Sequence, residues 1–155
     1  MKNSPLTSKI KCVLFNLDEL IQSAGVKEVL MSLDLPYGVV SIRPKAGMEH
    51  LLNTAGLLTF FGEDRIFSSS DTLIFFHAVR SMGFSPSECA VVDHSDIGID
   101  LARKGDFCVF GMNDGSNKAE LEDKGVLVLS KFADLNEFIE LFNEEADLEI
   151  KRFQF

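Results

Sequence analysis

Polar residues able to do chemistry follow short apolar runs at four places in this chain. Asn16 and Asp18 close the run in "KCVLFNLDELI", Lys11 to Ile21. Ser41 and Arg43 follow "YGVV", Ser68 to Asp71 follow "RIF", and Asp93, His94 and Asp96 follow "CAVV". Carboxylates, hydroxyls and a guanidinium gathered at one end of a sheet can hold a cation or a phosphate. The same residue types cap helices and close turns for local reasons, so the pattern alone leaves both readings open.

What must position these residues is a set of strands. Runs rich in Val, Ile, Leu and Phe alternate with stretches of helical period, the sign of a parallel sheet covered on both faces. Strands are expected at 11–16, 37–41, 65–68, 89–93, 107–112 and 125–130, with helices near 24–34, 46–56, 71–83, 96–104, 117–124 and 134–146. "SPSE" reads as a turn before a strand, and Gly83 stands where the preceding helix needs a C-cap. In "FADLNEFIELF" the residues Phe132, Leu135, Phe138, Ile139 and Phe142 share a helical face that should pack on the sheet. The fourteen Phe residues fall in strands and on such faces, which makes them core. In an open α/β sheet of this kind ligands bind beyond the carboxyl ends of the strands, where the candidate residues lie.

The 155 residues make one domain by length, with no linker, repeat or low-complexity segment; 1–9 and 148–155 are set aside as tails. A net charge of −9 without any cluster of Lys or Arg argues against a nucleic-acid surface. No apolar run reaches membrane-span length, and "MKNSPLTSKIKC" is too polar for a secretion signal, so the cytoplasm is the expected compartment. Cys12, Cys89 and Cys108 lie in apolar runs without metal-ligand spacing and read as buried thiols. His50 and His77 read as packing or surface histidines, and the acidic "NEEADLE" as a solvated helix face.

Several segments, in order, resemble the haloacid dehalogenase (HAD) superfamily. "VLFNLDEL" is similar to its first motif, an apolar strand followed by Asp-x-Asp, and "VVSIRP" to its second, a strand ending in Ser or Thr. "CAVVDHSDIGIDLARKGDFCVFGM" resembles the fourth motif, with the following helix and strand, of the capped phosphatase and phosphoglucomutase-like subgroup. The resemblance spans about residues 10–145 and implies a three-layer, Rossmann-like core with a mainly parallel sheet. It also implies phosphoryl transfer through an aspartyl-phosphate, with Mg²⁺ bridging phosphate and carboxylates.

Transferred by position, the motif is incomplete. Asn16 stands at the nucleophile, where a carboxamide attacks phosphorus far less well than a carboxylate; Asp18 matches the acid/base. Ser41 matches the phosphate-binding hydroxyl, and Arg43 or Lys45 are the nearby cations, since the Lys-bearing third motif is missing from "SSSDTLIFF". Asp18, Asp93 and His94 form the vestigial metal set, and imidazole suits hard Mg²⁺ poorly. Only eighteen residues separate Asp18 from Tyr37, too few for the subgroup's cap. The expectation is therefore a degenerate HAD-like protein without catalysis, acting in protein–protein interaction or regulation through the uncovered cap-side surface, with a protein partner or a second copy. No cofactor is expected beyond Mg²⁺ if any metal is retained. The alternatives are a sensor of phosphorylated metabolites and a weak Mg²⁺-dependent phosphatase, the latter using Asp18, Asp93 or Asp96.

Overall fold

The apolar runs become strands because alternate residues have separate faces to bury. In β1 (Cys12–Asn16), Val13 and Phe15 enter one core while Cys12 and Leu14 enter another. β4 (Cys89–Asp93) repeats the division, with Ala90 and Val92 on the first side and Cys89 and Val91 on the second. A strand apolar on both faces is stable only when helices cover both, and here they do. The computed structural model describes residues 8–152.

The remaining elements follow in α/β order. They are α1 (Leu17–Gln22), α2 (Val26–Ser32), β2 (Tyr37–Ser41), α3 (Lys45–Thr54), β3 (Ile66–Ser68), α4 (Ile74–Ser81), α5 (Asp96–Lys104), β5 (Cys108–Met112), α6 (Lys118–Asp123), β6 (Leu127–Leu129) and α7 (Leu135–Arg152). All six strands are parallel, in the order β3-β2-β1-β4-β5-β6. Helices α1, α2, α3 and α7 contribute Leu20, Val29, Met48 and Ile139 to one core. Helices α4, α5 and α6 contribute Phe75, Ile99 and Leu121 to the other. The fold is the three-layer α/β arrangement expected from the sequence.

The differences lie at the edges of elements. The helix expected at 24–34 is α2, and a further helix, α1, not expected from the sequence, starts directly at the end of β1. Gly25 separates them with φ +79°, a left-handed conformation that a side chain would strain. The helix expected from 71 begins at Ile74, because Ser69 to Leu73 form a turn in which the Asp71 carboxylate accepts from the Leu73 N–H at 2.9 Å. The terminal helix does not stop at 146 but runs to Arg152, so 148–152 are helical rather than a tail. The rest of that expected tail, 153–155, lies outside the described residues.

Asparagines tie α7 to the body of the fold. Asn143 accepts from the Ile10 N–H at 2.8 Å and donates to the Ile10 carbonyl at 3.1 Å, completing the backbone at the entrance to β1. Asn136 donates to Val29 O and Ser32 Oγ at the end of α2. The three cysteines are free, and burial pushes the Cys89 thiol well up and the Cys108 thiol up to about 12, as inert core thiols require. Among the described residues, no helix is long and apolar enough to cross a membrane.

Candidate functional site

The strand order reverses direction between β1 and β4, and a crevice opens beyond the carboxyl ends of strands at such a point. A pocket of about 300 Å³ lies there, bounded by Asn16 and Asp18 from the end of β1, Ser41 from β2, and Asp93, His94 and Ser95 from the end of β4. Its walls are apolar, from Val40, Ile42, Ile74, Phe75 and Ile97. Ile42 and Ile97 remain 77% and 76% exposed, which leaves an apolar rim at the mouth.

Asn16 is the N-cap of α1: its Oδ1 accepts from the Asp18 N–H at 2.8 Å. Its Nδ2 donates to Asp93 Oδ2 at 3.4 Å. Both ends of the carboxamide are thus engaged, one holding the helix and the other the neighbouring strand end. Asp93 is fully buried and saturated with donors. Its Oδ1 accepts from the N–H groups of His94 and Ser95 at 2.7 and 3.0 Å, and its Oδ2 also accepts from Ser95 Oγ at 3.2 Å. Burial raises its pKa from the ordinary aspartate value, against the lowering effect of these hydrogen bonds. Ser95 caps α5 by accepting from the Gly98 N–H at 3.1 Å. A Cβ at Gly98 would come within 1.9 Å of Asp93 Oδ2, so the glycine makes room for the carboxylate.

Glu19 is the residue that sequence reasoning missed. It is only 2% exposed, in the first turn of α1, and its Oε1 meets His94 Nδ1. Burial raises its pKa from the ordinary glutamate value, with His94 acting in the opposite direction. A signal for α1 was present: "NLDE" places Glu three residues after an Asn cap, the spacing of a capping box. Nothing in that spacing says that Glu19 turns inward to the histidine that follows β4.

The other candidates divide plainly. The Ser41 hydroxyl accepts from the Arg43 N–H at 3.0 Å, and Arg43 Nη2 lies 3.5 Å from Asp18 Oδ1. Lys45 instead donates to the Glu63 carbonyl at 3.0 Å and takes no part in the pocket. Ser68 donates to the Arg43 carbonyl and Ser69 accepts from the Asp71 N–H, so these two serines serve turn chemistry. Asp96 faces Lys124 Nζ at 3.4 Å on the outside of α5. His77 pairs with Asp71 at 3.6 Å, and His50 is exposed on α3.

The HAD resemblance implies Mg²⁺, and the donor set does not fit it. Mg²⁺ wants several hard oxygens around one point. The structure does not bring Asp18, Asp93 and His94 together in that way: Asp18 faces Arg43, His94 faces Glu19, and both Asp93 oxygens are taken. No group of three or more His, Cys, Asp or Glu side chains able to hold a metal occurs among the described residues.

Comparison with known proteins agrees with the architecture. The chain has the haloacid dehalogenase-like core fold, which it shares with solved HAD-like proteins. A haloacid dehalogenase-like protein from Agrobacterium tumefaciens superposes with TM-score 0.69 at 28% identity, over 80% of this chain and 64% of that one. A HAD family hydrolase from Deinococcus radiodurans, with bound phosphate and sodium, gives 0.66 at 24% identity, over 81% and 60%. The β-phosphoglucomutase of Clostridium difficile gives 0.64 at 18% identity, over 85% and 63%. Among curated proteins, the chloroplastic 5-amino-6-(5-phospho-D-ribitylamino)uracil phosphatase of Arabidopsis thaliana is 30% identical over 82 residues, 50% of this chain and 22% of that protein. The chain therefore spans about a fifth of that relative and less than two thirds of these structural neighbours. No protein-family model matches it.

Proposed function

We propose that this HAD-like core has lost aspartyl-phosphate chemistry and acts by binding, in protein–protein interaction or regulation, through the face at the carboxyl ends of its strands. The observation that carries the proposal is the state of Asn16, whose carboxamide caps α1 and holds Asp93. A carboxamide is a far weaker nucleophile than a carboxylate, and the oxygen of this one is already held by the Asp18 N–H. Each further defect would slow phosphoryl transfer, and because catalytic groups act as a unit, one intact group such as Asp18 rescues little. The open mouth rimmed by Ile42 and Ile97 is consistent with a protein partner or a second copy in place of a closing cap. The test is a broad panel of phosphomonoesters with folded protein and Mg²⁺ or Mn²⁺. No turnover is expected, and metal-dependent hydrolysis that falls on Asp18→Ala would overturn the proposal in favour of a weak phosphatase, the activity named for the Arabidopsis relative.

A second reading has its own support. Ser41 on the pocket wall and Arg43 beside Asp18 provide a hydroxyl and a guanidinium, and the pocket is large enough for a small phosphorylated metabolite. A sensor of this kind would show saturable binding of a phosphomonoester at millimolar concentration, weakened by Arg43→Ala. Absence of saturable binding across the panel would eliminate it.

A further inference from the structure

Three carboxylates lie at or beside the pocket, and each is faced by a side-chain nitrogen of this same chain. Asp18 has Arg43 Nη2 at 3.5 Å, Asp93 has Asn16 Nδ2 at 3.4 Å, and Glu19 has His94 Nδ1. The nitrogens come from three different strand ends, so one local turn motif does not explain the coincidence. Glu19 and Asp93 are also the buried charged or polar side chains of the described core, the places where an unpartnered carboxylate costs most.

We infer that the pocket has exchanged a bound divalent cation for internal nitrogen partners, so that it is assembled, and takes any ligand, without divalent metal. The donor chemistry supports the exchange at Asp93 and at Asp18. The amide of Asn16 brings a hydrogen-bond donor to Asp93 where a carboxylate would bring a second negative charge. The Arg43–Asp18 pair is half exposed and weak by itself, but with Asp93 already saturated it leaves an entering cation a single accessible carboxylate. Mg²⁺ or Mn²⁺ holding one carboxylate and otherwise water binds too weakly to organise a site.

The probe is Mn²⁺ alone, followed by the loss of its free-ion electron paramagnetic resonance signal on titration with the full chain. The wild-type protein is expected to give no saturable loss up to about 1 mM Mn²⁺. Saturable binding in that range, abolished by Asp18→Ala, would overturn the inference. The gain-of-binding variant is Asn16→Asp with Arg43→Ala and His94→Asp, its folding checked by thermal melting; Asn16→Asp with Arg43→Ala is the milder version that spares the buried Glu19 contact. At least a tenfold tightening in either folded variant supports the exchange. No tightening in both would show that the nitrogens are not what displaced the cation. Because metal binding is read directly, metal without turnover would contradict this inference while leaving the proposed loss of catalysis standing.

Discussion

At the residue scale, the environment of Asp93 sets the sharpest expectations. Gly98→Ala forces a methyl group into the place of a carboxylate oxygen held by Asn16 and Ser95, with little freedom to retreat. The expected loss is about 1–3 kcal/mol in denaturant unfolding, and an unchanged midpoint would show that the Asp93 carboxylate is not held as described. Asn16→Asp preserves the helix cap but sets a second carboxylate against the first. Both then have raised folded-state pKa values, so the stability they contribute is fully present below their unfolded values and is lost as pH rises through the folded ones. The variant should be less stable than wild type at pH 7, and the difference should shrink as pH falls toward about 4. Asn16, Asp18, Ser41, Asp93 and His94 were all legible in the sequence as strand-end residues, because position after an apolar run fixes where a side chain emerges. Glu19 was not legible, because its partner lies 75 residues away, just after β4, and nothing local marks it as buried.

At the scale of elements, the strands were readable to within a residue or two, since an apolar run covered on both faces has few alternatives. The helix edges were less so. "LDELIQ" is too short to show a period and begins without a turn, and α7 continues past the residues that bury its face. That helix is integral to the fold: Ile139 is buried in the core with Phe132 and Leu135. Ile139→Ala should cost about 2–4 kcal/mol, and a loss below about 1 kcal/mol would mean that α7 packs only loosely. The turn into β4 carries a pH-dependent contribution. Glu88 accepts from the Ser85 N–H at 3.0 Å and pairs with Lys11 Nζ at 3.0 Å, and the Ser85 bonds hold its carboxyl below the ordinary glutamate value, with Lys11 adding to the effect. A depressed folded-state pKa contributes stability above the unfolded value, lost as pH falls through the folded one. Glu88→Gln should therefore be slightly destabilised at pH 7, by roughly 0.5 kcal/mol after solvent screening. The difference should narrow as pH falls below the ordinary glutamate value; a gap undiminished in acid would assign the effect to packing.

For the whole molecule, a parallel sheet of this order places its strand-end residues around one crevice, and what those residues are decides what the crevice does. The architecture is that of HAD hydrolases, while the crevice holds a helix-capping amide, a donor-saturated aspartate and a buried Glu19–His94 contact. The most direct test of a disabled centre is turnover by the folded Asn16→Asp variant on a phosphomonoester panel with Mg²⁺. If the defect extends through the metal and phosphate positions, restoring the carboxylate alone yields no hydrolysis above the wild-type background. Measurable metal-dependent turnover from that single change would contradict the proposal, by showing that only the nucleophile had been lost.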